Sequence, residues 1–142
     1  SDHLCYYLEE ERAPFTGDLI LGGSTTVIPP DDGDLADYLD SLRRVLQLDV
    51  QRIYPAHAAV LKPARPAIEG YIAPRPERDA QILGAVSAGA ETVADIVARV
   101  YREVSPALHP VARLSVLSHL HKLEREGRVV RLAGDPPRFR AA

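Results

Sequence analysis

The chain has 142 residues, a net charge of −3 and 46% hydrophobic residues, which is enough to bury the core of one domain or of two small ones. The sequence contains no run of 18 apolar residues and no signal-like start, so we predict neither a membrane span nor secretion. The single Cys5 excludes an internal disulfide, and we expect a cytoplasmic location.

The charges are shared unevenly between the two halves. Residues 1–77 carry 7 basic and 13 acidic side chains, whereas residues 78–142 carry 10 basic and 7 acidic ones. An acidic half followed by a basic half predicts two units with different roles. Ordinary solvated surface charge is the alternative explanation.

The first part of the chain predicts short strands and one helix. Leu4–Leu8 and Ala13–Thr16 are rich in strand-forming residues and flank a polar turn, which is typical of a hairpin. Asp34 is suited to cap a helix that runs to about Leu48. The apolar residues of that helix recur on one side, at Leu35, Leu39, Leu42, Val45 and Leu46.

Two predicted strands end at side chains that metals prefer. Phe15-Thr16 leads to Gly17-Asp18, and Ile53-Tyr54 leads through Pro55-Ala56 to His57. A carboxylate and an imidazole at strand ends are the donors needed by a metal site assembled from loops. Two donors are only part of such a site, and we expect the other ligands upstream of Ser1.

Prolines mark the middle of the chain. Residues 67–73 have a helix-like pattern, and Pro74 and Pro76 are expected to interrupt or kink it. We therefore predict two domains, residues 1–76 and residues 77–142.

The second domain predicts three helices and a hairpin. The first helix runs from Glu77 to about Ala88 and is closed by Gly89, and Thr92 with Asp95 caps the second. The third runs from Pro110 to Glu126. Residues 129–132 and 138–140 flank a turn and predict the hairpin, which completes the plan of a winged helix-turn-helix domain.

Taken together, these stretches resemble the C-terminal part of a metallo-β-lactamase-fold hydrolase with an appended winged helix, in the branch that includes a β-lactamase-like endoribonuclease. The resemblance implies an α+β fold, the C-terminal half of an αβ/βα sandwich followed by the winged helix. It rests on Asp2-His3-Leu4, Phe15-Thr16-Gly17-Asp18, Ser24-Thr25-Thr26-Val27, Asp37-Tyr38-Leu39, Ile53-Tyr54-Pro55 with His57, and Leu123-Glu124 with Gly127.

The resemblance also implies a chemistry for the site. Asp18 matches the carboxylate that bridges two zinc ions in such proteins, and His57 matches their last imidazole ligand. The family's His-x-His-x-Asp-His motif does not occur in this sequence. The intact protein is thus expected to hold one or two zinc ions and to attack an ester, thioester or phosphodiester, with RNA among the candidate substrates, through a metal-bound hydroxide. The 142 residues alone are expected to bind zinc weakly or not at all and to be inactive.

Two positions depart from the family pattern. Pro55-Ala56-His57 stands where relatives show Pro-Gly-His, so we expect a slightly shifted loop. Ala73-Pro74-Arg75 stands where many members show Ala-His-Arg, so a helix through that joint is not expected.

Three further residues are candidates for a supporting role around the metal or for substrate contact, namely His3, Thr25 and Thr26.

The third helix and the hairpin carry candidate nucleic-acid contacts. The predicted outward side of the helix includes Ser115, Ser118 and His119. Six basic residues are candidates for phosphate contacts, namely Lys122, Arg125, Arg128, Arg131, Arg138 and Arg140. Two alternatives stay open, a nucleic-acid-binding regulator with an inactive first half and a non-catalytic interaction module. The sequence predicts no membrane partner and no particular oligomer.

Overall fold

The computed structural model describes residues 4–23 and 26–142. These form two compact units, one of residues 1–26 and 36–75 and the other of residues 27–35 and 76–142. Within the described residues, no helix has both the length and the apolar character that crossing a membrane requires.

The first unit contains a three-stranded sheet. Its strands are β1 (Tyr6–Leu8), β2 (Ala13–Gly17) and β3 (Tyr54–Pro55), in the order β1-β2-β3. β1 pairs with β2 in antiparallel fashion, which confirms the predicted hairpin. β3 pairs with β2 in parallel, with Phe15 opposite Tyr54 and Gly17 opposite Pro55. The parallel pairing places the carboxyl ends of β2 and β3 at the same edge of the sheet.

Two helices contribute to the buried part of this unit, α1 (Leu35–Gln47) and α2 (Ala64–Ile72). The predicted apolar stripe of α1 is confirmed, since Leu35, Leu39, Leu42 and Val45 are all buried. The core of the first unit also contains Ala13, Ile20, Ile53, Ala64, Ile68 and Tyr71.

The proline-rich joint interrupts the helix as predicted, but the next helix begins earlier than expected. α2 ends at Ile72 and α3 (Pro74–Ser87) begins only two residues later, at Pro74 rather than Glu77. Pro74 and Pro76 therefore lie in the first turn of α3 and do not kink a helix interior. A first turn accepts proline because its backbone N–H groups have no partner within the helix.

The second unit has the predicted three helices and hairpin. After α3 come α4 (Val93–Val100), a short 3-10 turn (Pro106–Leu108) and α5 (His109–Arg125). β4 (Val129–Leu132) and β5 (Arg138–Ala141) then pair in antiparallel fashion. The core of this unit is formed by Ile82, Ala85, Val86, Ala90, Ile96, Val97, Ala112, Val116, Leu120, Leu123, Val129 and Phe139.

Two details of the sequence interpretation are wrong. His119 and Ser118 were expected on the outward side of the third helix, but they are 1% and 4% exposed. Ser118 donates to the carbonyl of Ile28, so the preceding segment 27–35 of the same unit covers this side of α5. Cys5, the residue before β1, is exposed.

Candidate metal centre

Asp18 and His57 are brought together by the parallel pairing of β2 and β3. Asp18 directly follows β2, and His57 lies two residues beyond β3. The Ala56 amide donates to the Gly17 carbonyl at 3.2 Å and extends the pairing beyond the strand ends. Because both chains leave the sheet at the same edge, their next side chains converge there.

The two side chains lie within reach of one shared cation. Asp18 Oδ1 and His57 Nε2 are 3.6 Å apart, and the side chains are 59% and 75% exposed. A carboxylate oxygen and an imidazole nitrogen are both donors that zinc accepts. Within residues 4–23 and 26–142, no group of three or more His, Cys, Asp or Glu side chains could hold a metal. The donor chemistry of the pair therefore fits zinc, and a complete site needs donors beyond it.

The loop that carries His57 is closed at its base. Ile53 and Leu61 exchange two backbone hydrogen bonds of 3.1 Å, so residues 54–60 form a short loop. The strained backbone in this loop is at Ala58, with φ of 87°, and not at Ala56. Ala56 does not adopt the left-handed conformation that favours glycine, and the slightly shifted loop stays a prediction.

The segment after Asp18 is held by three helical side chains of the same unit. Tyr38 Oη donates to the Leu19 carbonyl at 3.1 Å, and the Gly22 amide donates to Tyr71 Oη at 2.9 Å. Arg75 Nη2 donates to the Thr26 carbonyl at 2.6 Å. Thr26 thus meets Arg75 through its main chain. His3 and Thr25 lie outside the described residues.

Sequence reasoning missed Tyr38, Tyr71 and Arg75. Tyr38 and Tyr71 are each no more than 9% exposed, and Arg75 is 9% exposed. A signal was present in α2, where Tyr71 follows the buried Ile68 by three residues and so shares its face. A hydroxyl on a buried face needs a hydrogen-bond partner, and this requirement points to a specific polar contact.

A second polar cluster lies inside the second unit, which we call the winged-helix unit. Asp79 of α3 is 2.6 Å from His119 Nδ1 and 2.7 Å from Lys122 Nζ. Burial alone would raise the pKa of Asp79, but the hydrogen bonds from His119 and Lys122 outweigh it and hold that pKa below its ordinary value. Burial likewise tends to lower the pKa of Lys122, and its bonds to Asp79 and Glu126 raise that pKa instead. The cluster ties α3 to α5.

The candidate nucleic-acid contacts differ in how they are paired. Lys122 is only 13% exposed and also lies 2.7 Å from Glu126. Three of the arginines form ion pairs within the unit, Arg125 with Asp34, Arg128 with Glu126 and Arg138 with Glu91. Arg131 and Arg140 are exposed on the hairpin. Within the part of the chain that the structure describes, these two of the six form no ion pair with a carboxylate.

Two family descriptions match the chain. Residues 1–57 match the Metallo-beta-lactamase superfamily, and residues 92–136 match the Beta-lactamase associated winged helix domain. The chain is 38% identical over 132 residues to the Beta-lactamase-like protein 2 homolog of Drosophila melanogaster, covering 91% of this chain and 44% of that protein. It is 37% identical over 83 residues to the Atrochrysone carboxyl ACP thioesterase of Aspergillus fumigatus, covering 58% of this chain and 25% of that protein.

The solved structures agree with the sequence matches. A beta-lactamase domain protein from Burkholderia ambifaria superposes with a TM-score of 0.82 at 25% identity, covering 97% of this chain and 43% of that one. The chain spans about half or less of the length of the curated relatives it matches. The predicted fold class, the C-terminal half of an αβ/βα sandwich followed by a winged helix, is confirmed. The chain belongs to the metallo-β-lactamase superfamily and carries the winged-helix domain associated with it.

Proposed function

We propose that the protein containing this chain is a zinc-dependent hydrolase of esters or thioesters. The observation that carries the proposal is the distance of 3.6 Å between Asp18 Oδ1 and His57 Nε2 at the adjoining ends of two parallel strands. In open sheets, ligands bind at the carboxyl ends of such strands. The exposure of both side chains leaves them accessible to a cation and a substrate.

Asp18 and His57 are the residues of this chain that hold the metal. A zinc ion would act as a Lewis acid and would lower the pKa of water enough to provide hydroxide, the nucleophile, near neutral pH. Asp18 would contribute a carboxylate oxygen and His57 an imidazole nitrogen, and these two donors alone leave the usual four-coordinate shell far from complete. For the same reason we expect the 142 residues by themselves to bind zinc weakly and to lack activity.

An ester or thioester carbonyl is the favoured target because one relative carries thioesterase in its name. The same chemistry applied to a phosphodiester gives the second candidate, cleavage of RNA. The exposed Arg131 and Arg140 on the hairpin favour this candidate, since phosphate binding needs accessible positive charge. The remaining four basic residues are engaged with carboxylates.

The metal assignment is tested on the full-length protein by measuring its zinc content after purification and zinc supplementation. Asp18→Asn and His57→Gln are expected to lose most of the bound zinc together with hydrolysis of a panel of esters and thioesters. Asp49→Asn and His121→Gln serve as matched controls and are expected to keep both, because Asp49 pairs with Arg12 and His121 belongs to α5. Full zinc loading in Asp18→Asn would remove Asp18 from the site.

The RNA candidate is tested separately with the same protein. Arg131→Ala with Arg140→Ala is expected to weaken RNA binding and to reduce the dependence of the binding constant on salt, since each phosphate contact contributes roughly one unit to that slope. Ester hydrolysis is expected to be unaffected. Equal binding by the double variant and the unchanged protein would reject RNA contact through the hairpin.

A further inference from the structure

Tyr71 makes a long-range polar contact from the buried face of α2. Tyr71 is 9% exposed, and its hydroxyl accepts a hydrogen bond of 2.9 Å from the Gly22 amide. Gly22 precedes Tyr71 by 49 residues in the chain. Gly22 has φ of +68°, in the left-handed region that side chains rarely adopt. The hydroxyl of Tyr71 therefore fixes a turn of unusual backbone conformation four residues after Asp18.

Gly22 in turn lies directly against the loop that carries His57. A Cβ atom placed on Gly22 would lie 3.2 Å from Ala58 Cβ, 3.4 Å from Leu61 Cδ2 and 3.6 Å from Pro55 Cγ. Pro55 and Ala58 flank His57 on both sides. The Gly22 backbone therefore lies close to the residues that flank His57, and we infer that the position of Gly22 influences that of the loop.

The same segment is anchored at both of its ends. Tyr38 holds the carbonyl of Leu19, the residue that follows Asp18, and Arg75 holds the carbonyl of Thr26. Tyr71 acts between these points, on Gly22, whose main chain lies close to the residues that flank His57. Its contact is thus one link between the Asp18 segment and the His57 loop, beside the hydrogen bond from the Ala56 amide to the Gly17 carbonyl.

We propose that Tyr71 is a positioning residue of the metal centre, which fixes Gly22 and through it holds the His57 loop beside Asp18. The role in metal binding rests on the function proposed above, whereas the coupling between Tyr71 and the His57 loop does not. In this proposal Tyr71 is neither a metal ligand nor a substrate-binding group. It acts through Gly22, and its removal changes the ligand geometry and leaves the ligands in place.

The coupling is tested by amide hydrogen exchange on the metal-free, full-length protein. Tyr71→Phe keeps the ring and removes only the hydroxyl. We expect peptides covering residues 19–23 and 55–61 to exchange about fivefold faster in this variant, the factor that corresponds to one lost hydrogen bond of about 1 kcal/mol. Tyr7→Phe is the matched control, since Tyr7 Oη donates to the Asp49 carbonyl at 2.8 Å in the same unit. Unchanged exchange over residues 55–61 in Tyr71→Phe overturns the proposal.

The consequence for the site is tested by the zinc dissociation constant and by kcat and KM. Tyr71→Phe is expected to bind zinc about tenfold more weakly, at the low end of the range for residues that orient metal ligands. Tyr7→Phe is expected to match the unchanged protein. A Tyr71→Phe protein that loses thermal stability but binds zinc normally has a structural role only, which contradicts the proposal. If the unchanged protein binds no zinc, the proposed function fails, and the exchange experiment still decides the coupling.

Discussion

The Asp79 carboxylate and the His119 imidazole lie 2.6 Å apart inside the winged-helix unit, although 40 residues separate them in the chain. Their side chains are 7% and 1% exposed, so the pair is shielded from water. Lys122 completes the contact from the next turn of α5 and is held in addition by Glu126. A buried carboxylate with two such partners fixes how α3 and α5 of this unit pack.

Asp79→Asn is expected to destabilise the winged-helix unit by about 2–3 kcal/mol, because it leaves the buried side of Lys122 without its charged partner. The value lies below that for a completely broken buried pair, since Glu126 still holds Lys122. Urea unfolding followed by circular dichroism measures the change. Glu103→Gln is the control, an exposed pair with Arg102 that is expected to contribute under about 0.5 kcal/mol. Equal effects of the two substitutions would show that the Asp79 cluster contributes nothing beyond a surface pair.

The same cluster predicts how stability depends on pH. The pKa of Asp79 is lower in the folded protein than in the unfolded chain, so its contribution is present above about pH 3.9 and is lost as the pH falls through the folded value. The free energy of unfolding should therefore drop more steeply below pH 4 in the unchanged protein than in Asp79→Asn. Urea titrations between pH 2.5 and pH 6, as a rough working range, measure both slopes. Parallel curves for the two proteins would contradict this assignment.

Thr92→Ala is expected to destabilise the winged-helix unit by about 1 kcal/mol because it removes the capping box of α4. Thr92 Oγ1 accepts the Asp95 amide at 3.2 Å, and the Asp95 carboxylate accepts the Thr92 amide in return at 3.2 Å. Ser105→Ala is the matched control, since Ser105 precedes the 3-10 turn without a side-chain cap. Thermal or urea unfolding should separate the two variants; an equal loss in Ser105→Ala would attribute the effect to the removed hydroxyl itself and not to the cap.

The sequence predicted those elements that depend on neighbouring residues. The local signals are the apolar spacing of α1, the Thr92 and Asp95 pair, and the glycines that follow α3 and α5. They predicted the buried stripe of α1, the start of α4 and the ends of α3 and α5. The burial of Ser118 and His119 on α5 was not predictable in this way. Contacts with distant residues decide it. Ser118 donates a hydrogen bond to the carbonyl of Ile28, 90 residues earlier, and His119 contacts Asp79, 40 residues earlier.

The candidate site divides in the same manner. The strand ends at Asp18 and His57 are visible in the sequence because each follows an apolar run. The parallel pairing and the Ala56 to Gly17 hydrogen bond that bring them together are tertiary contacts. The position of backbone strain also escaped the sequence, which drew attention to Ala56 when the positive φ belongs to Ala58.

Ala58→Gly is expected to stabilise the first unit by up to about 1 kcal/mol, because it relieves the cost of holding a Cβ at φ of 87°. Ala56→Gly, two residues away in the same loop, is the matched opposite. Ala56 is not among the described residues with positive φ, so glycine there adds only freedom to the unfolded chain and should cost about 0.4–1 kcal/mol. Urea unfolding of both variants measures the two signs. Stabilisation by glycine at position 56 and not at position 58 would mean that the family's Pro-Gly-His pattern marks the strained residue after all, and the backbone assigned to the His57 loop would be wrong.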